Sequence, residues 1–180
     1  MSKLFISFCF LVCFQLIVVA VPDSSDRQLQ RELKKVFSKQ NIELIEMSVP
    51  AKYTLTGKYY QVNNSCDEKT VKYIYIGRIN TVRSANAQAN SNESSEYFDY
   101  YIFFDEGKSI SQVRVINYQA THGEMVSSPG WLKKFVGHNR TKPLEVGRQI
   151  DAISGATISV NSITFDVRQK THILSEIARK

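Results

Sequence analysis

Cysteine is scarce in this chain and poorly placed for structural use. The three cysteines are Cys9, Cys13 and Cys66, and two of them lie in an apolar N-terminal stretch. Without residues 1–20 only Cys66 is left, which excludes an intramolecular disulfide. There is no C-x-x-C and no Cys/His cluster, so zinc chemistry is not supported. Cys66 stands in a polar turn, NNSCDEK, and reads as a lone thiol. No G-x-x-x-x-G-K-[ST] loop is present to cradle a nucleoside triphosphate. No Ser/His/Asp or Cys/His arrangement for nucleophilic catalysis is evident, and no internal repeat. Basic residues outnumber acids, 23 to 17, but never run beyond a pair. The net charge of +6 is therefore spread over the surface rather than gathered into the stripe that nucleic-acid binding needs, and no nucleic-acid partner is expected. What is present, 43% hydrophobic and 22% charged residues, suits one folded globular domain.

Long apolar runs are also absent, with one exception. Met1-Ser2-Lys3 is a short basic start, Leu4 to Val21 is almost wholly apolar, interrupted by Gln15, and Val18-Val19-Ala20 offers a small-residue cleavage site. Residues 1–20 read as a secretory signal peptide. Their length also approaches a bilayer span, so an uncleaved N-terminal anchor stays open. Either way the protein is expected to be exported, periplasmic or held on the outer face of the inner membrane.

Beyond this segment, residues 21–94 read as the N-terminal helix and strands of a single domain that continues through 95–180. Leu29, Leu33, Val36 and Phe37 keep helical spacing over residues 24–38. A short strand is expected from Ile42 to Val49, ending at Pro50. Lys58–Val62 and Val71–Ile79 have strand chemistry, with a turn at Asn63-Asn64-Ser65 that makes them a hairpin. Residues 83–96, RSANAQANSNESSE, are polar and aperiodic and read as a loop. Tyr97–Phe104, a DEGK turn and Ser109–Tyr118 form a second hairpin, with Ile110, Gln112, Arg114 and Ile116 alternating onto one side. Pro129–Gly137 reads as a short helix carrying Trp131, Leu132 and Phe135 on one face, and a last helix follows from about Ser159. The expected fold is α+β: a mainly antiparallel twisted sheet with packed helices.

Between the short and last helices lies DAISGATISVNS, residues 151–162. Gly155 and Ala156 have almost no side chain, so another group can approach the backbone. Thr157 and Ser159 stand at the start of the last helix. Two readings fit: an ordinary cap by Ser or Thr, which spacing alone favours, or a phosphate seat on the exposed N–H groups of the first turn.

This stretch resembles the flavinylation motif of the FMN-binding domain family, roughly D-x-[ST]-[ST]-G-A-[ST] or close variants. Flavin subunits of the sodium-pumping NADH:quinone oxidoreductase and of the Rnf complex belong to that family. The likeness extends upstream, through a strand ending V-R-V-I-N-Y, a glycine-containing turn and a Trp/Phe helix closed by glycine, and covers about residues 95–180, the FMN-binding region. Where many members carry Glu-Thr-Pro-Gly-like residues, this chain reads Ala120-Thr121-His122-Gly123-Glu124.

The resemblance implies FMN joined by a phosphoester to Thr157, with Asp151, Ser154, Gly155 and Ala156 recognised by a magnesium-dependent FAD:protein FMN transferase and later shaping the phosphate site. It implies an electron carrier, exchanging electrons with membrane or envelope redox partners, rather than a stand-alone enzyme. His122, beside Gly123, is a candidate to hydrogen-bond the flavin ring, or simply a turn residue. Trp131 is a candidate to stack on the ring, or an anchor of its helix on the sheet. A noncovalent FMN site and a non-redox envelope module are the alternatives.

Overall fold

A computed structural model of the chain describes residues 42–64, 71–81, 96–142 and 144–179, together with Arg31, Leu33 and Lys35. Five strands pair antiparallel in chain order: β1 (Ile42–Glu46), β2 (Gly57–Asn64), β3 (Tyr73–Asn80), β4 (Tyr97–Phe104) and β5 (Ile110–Tyr118). One face of this meander carries the terminal helix, Thr157–Ile177. The α+β class expected from the sequence is the class observed.

The aromatic run YFDYYIFF is explained by its place. β4 lies between β3 and β5, and every residue from Phe98 to Phe104 is buried. A strand covered on both faces reads as a continuous apolar run rather than an alternation. On one side Phe98, Tyr100, Ile102 and Phe104 meet Val160, Ile163 and Val167 of the terminal helix in the main core. On the other, Tyr101 and Phe103 join Tyr60, Ile74 and Leu33 in a second cluster. Each such side chain contributes about 1.5–3 kcal/mol by leaving water. Arg31, Leu33 and Lys35 are helical, within the helix expected over 24–38. The rest of that helix, the segment 1–20, Cys66 and nearly all of the loop 83–96 lie outside the described residues. Among the described residues no helix is long and apolar enough to cross a membrane.

Two expectations change. The strict alternation of β5 does not hold: Ile110, Val113 and Ile116 are its buried residues. Register shifts against Asp99/Tyr100 and Phe103/Phe104 insert extra residues, and each bulge exchanges the faces that follow it. Asn63 and Asn64 are strand residues, not a turn, because Glu43 and Ile42 of β1 pair with them.

After β5 the chain makes a 3-10 turn, Glu124–Ser127, a one-turn helix, Pro129–Leu132, and a second 3-10 turn, Lys133–Phe135. The Ser128 hydroxyl caps the helix by accepting from the Trp131 N–H. Trp131, Leu132 and Phe135 all enter the main core, as their shared face requires. The chain just after this segment pins the start of β5, where Ile110 and the backbone of residues 137–138 exchange hydrogen bonds.

Candidate functional site

The turn entering the terminal helix is built by small residues. The Ala156 N–H donates to the Ile153 carbonyl at 3.1 Å, closing a four-residue turn with Ser154 and Gly155 in the middle. Gly155 sits at φ +76 with open space where a Cβ would stand. A turn with positive φ at its third residue favours glycine there. Ala156 then starts the helix, and no side chain caps it. The capping expected from Ser or Thr is therefore not observed. Ser159 is drawn the other way, to the sheet, and the exposed Thr157 hydroxyl makes no hydrogen bond to a described residue. The first-turn N–H groups and the positive end of the helix dipole are thus left to an outside acceptor.

These groups border a pocket of about 240 Å³ lined by Gly155, Ala156, Thr157, Ile158 and Ser159 on one side and by Thr81, Glu96 and His122 on the other. The second side comes from the top of the sheet. Asn80 of β3 pairs with Tyr97 of β4, which places Thr81 beside Glu96, and the Thr81 N–H donates to the Glu96 carbonyl at 2.8 Å. Just below, Asp99 of β4 accepts from Arg78 of β3 at 2.7 Å and from Asn117 of β5 at 3.0 Å. This staples the three strand ends that carry the pocket. The Arg78 guanidinium also lies over the Tyr97 ring, 3.7 Å from its centre.

Hydrogen-bond logic orients the 120s turn. The Thr121 hydroxyl donates to the Glu96 carboxylate and lies 3.0 Å from His122 Nδ1. A hydroxyl has one proton, so Nδ1 must carry its own and donate to Thr121. The Tyr118 hydroxyl donates to the His122 carbonyl by the same rule, and the Ser159 hydroxyl, 3.1 Å away, donates to Tyr118. Burial raises the Tyr118 phenol above its ordinary pKa, and the Ser159 hydrogen bond pulls the other way. Gly123, at φ +88, lies against this link: a Cβ there would stand 2.6 Å from the Ser159 hydroxyl.

The structure thus brings Gly155, Ala156, Thr157 and His122 together around one pocket, with Gly123 behind it. Trp131 and Asp151 are paired elsewhere. Trp131 Nε1 donates to the Asp151 carbonyl at 2.9 Å, its ring meets Phe135 edge-on at 5.3 Å, and only 8% of the residue is exposed. Asp151 also pairs with Lys134 at 3.2 Å. These contacts hold the segment that feeds the motif and do not line the pocket. Ser154 is an exposed turn residue. Thr81, Glu96 and Tyr118 were not evident from the sequence as site residues. Their role follows from strand register, and Glu96 is the last letter of a polar loop without pattern.

No curated protein matches the chain. The model of the FMN-binding domain family matches residues 95–169, a span that holds β4, β5, the Trp131 helix, the SGAT turn and the first half of the terminal helix. The match is to an FMN-binding domain over that span, and it supports a flavin-binding function.

Proposed function

We propose that the protein is an exported electron-transfer flavoprotein carrying FMN on the Thr157 Oγ1 through a phosphoester. The observation that supports this most directly is the uncapped helix start, with an unbonded Thr157 hydroxyl beside first-turn amides that face a pocket. A phosphate on Thr157 would meet those amides, which are suited to an anion. Ligand pockets usually start at about 300 Å³, so the present one suits the phosphate end of FMN rather than the whole cofactor. Glu96 is engaged by Thr121, and no Lys or Arg lines the pocket among the described residues. Affinity by charge alone would be weak there, which favours attachment by a bond.

Attachment by an FAD:protein FMN transferase balances simply: the Thr157 hydroxyl loses its proton and takes the flavin phosphate, the pyrophosphate of FAD breaks, and AMP leaves. Bound flavin supplies the redox chemistry. The chain's own residues supply place: Gly155 and Ala156 keep the approach open, and His122 stands at the pocket wall. Redox partners at the membrane would deliver and remove the electrons.

The test is co-expression with a competent transferase in the envelope of a bacterial host. The purified chain should be yellow after denaturation and heavier by one FMN, and Thr157→Val should lack both. Colour that washes out on unfolding would mean noncovalent FMN, and an adduct surviving in Thr157→Val would disprove the assignment.

A further inference from the structure

A second cleft, of about 450 Å³, opens on the outer side of the terminal helix, away from Thr157. Its apolar lining comes from Tyr53, Leu144, Ile173 and the ring of Phe165, and Phe165 is 57% exposed. Arg168 and His172 stand three and seven residues further along, on the same stripe of the helix. From the facing segment come Arg140 and Lys142.

The charges are as distinctive as the apolar lining. Lys52, Lys58, Arg78, Lys134, Arg148 and Lys170 each pair with an acid. Arg140, Lys142 and Arg168 pair with no described acid, and no Asp or Glu lines the cleft. Glu176, 3.7 Å from His172 of the cleft, is also engaged by Tyr53 and Lys52. Arg168 lies 5.9 Å from the Phe165 ring centre, held over an apolar surface rather than against a counter-ion. Three cations lining one cleft with an apolar floor, in a volume of small-molecule size, suit the chemistry of a flat anion.

We propose that this cleft is a second ligand site, which binds an aromatic anion: a ring carrying a carboxylate, sulfonate or phosphate. The ring lies on Phe165, Leu144 and Ile173, and the acid group meets Arg168, Arg140 and Lys142. The site is separate from the Thr157 pocket and does not depend on the flavin assignment.

The experiment is an amide NMR titration of the full chain with naphthalenesulfonate, and with naphthalenemethanol as the uncharged analogue of the same ring. Shifts should concentrate on residues 139–144 and 165–173 and saturate at one probe per chain. The uncharged analogue should bind about tenfold more weakly, and Arg168→Gln should weaken the anion by about the same factor, the scale of one charge-assisted hydrogen bond. Phe165→Ala, an exposed position whose change leaves the fold intact, should weaken both probes. Equal binding of the two probes, indifference to Arg168→Gln, or shifts confined to Gly155–Ser159 would overturn the proposal.

Discussion

The terminal helix meets the rest of the molecule in two contrasting ways along its length. On the face turned to the sheet, its Asp166 and Lys170 are matched and largely enclosed. Lys170, 3% exposed, pairs with Asp166 at 2.9 Å, Asp166 accepts from the Tyr100 hydroxyl, and the Lys170 carbonyl accepts from Tyr59 at 2.8 Å. At the first turn the same helix is left uncapped beside a pocket. Buried polar groups must find partners or cost stability. A matched network therefore marks structure, and donors left over at a pocket mark a place for a ligand. On this reading the two halves answer to different measurements.

The largest effect expected is on the enclosed half. Lys170→Ala would leave Asp166 without its cation under the helix, at a cost of about 3 kcal/mol. Denaturant unfolding should show that loss, while the protein that remains folded keeps the proposed flavin adduct. Thr157→Val should do the reverse, with the adduct gone and stability changed by no more than about 0.5 kcal/mol. A folded Lys170→Ala protein without flavin would break the division.

Alkali attacks the enclosed half by another route. Burial, aided for each by neighbouring phenols or the Asp166 carboxylate, raises the pKa of Tyr59, Tyr75 and Tyr100. In the unfolded chain a phenol ionises near pH 10. The folded chain holds these protons more tightly, so their contribution to stability is intact below about pH 10 and is lost as pH rises above it. Phenolate absorbance of these three should appear in one cooperative step that coincides with loss of helix. A gradual rise ahead of unfolding would show that the network is open to water.

Much of the enclosed half was legible in the sequence. Val160, Ile163, Val167 and Leu174 keep helical spacing, and YFDYYIFF is too dense in aromatics to face water. The hairpin around DEGK followed from its turn residues. The bulges in β5 were not legible, because a bulge is a property of two paired strands and leaves no mark in one. The site was half legible. Gly155, Ala156 and Thr157 are adjacent, so a motif can carry them. Thr81, Glu96 and Tyr118 come from three separate places, and only the pairing of β4 with β3 and with β5 brings them together. The direction of Ser159 was hidden for a like reason: a hydroxyl at a helix start can turn to its own backbone or to a neighbour, and Tyr118 is what decides it.

The wall behind the pocket offers a smaller test. Gly123→Ala puts a methyl group against the Ser159 hydroxyl at a residue with φ +88. The left-handed conformation alone costs about 1–2 kcal/mol, and relief of the clash must displace Ser159 or the 120s turn. Thermal unfolding should register the cost, and flavin loading by the transferase should fall with it. Unchanged loading would place the 120s turn outside the functional half.

The smallest effect belongs to the bond that joins the halves. Tyr118 ends β5, and its hydroxyl links the His122 carbonyl to Ser159 on the terminal helix. Tyr118→Phe removes that link but keeps the ring stacked on Phe98, now 5.5 Å away at an interplanar angle of 14°. Ser159 is 3% exposed and would lose its acceptor, at about 1 kcal/mol. Ser159→Ala removes the donor instead, so the double variant should cost less than the two single changes together. A coupling of about 0.5 kcal/mol or more in this cycle would confirm that the bond contributes. Strict additivity would mean that the helix start is held by packing alone, and that the pocket owes its shape to Gly123 and the SGAT turn rather than to this hydroxyl pair.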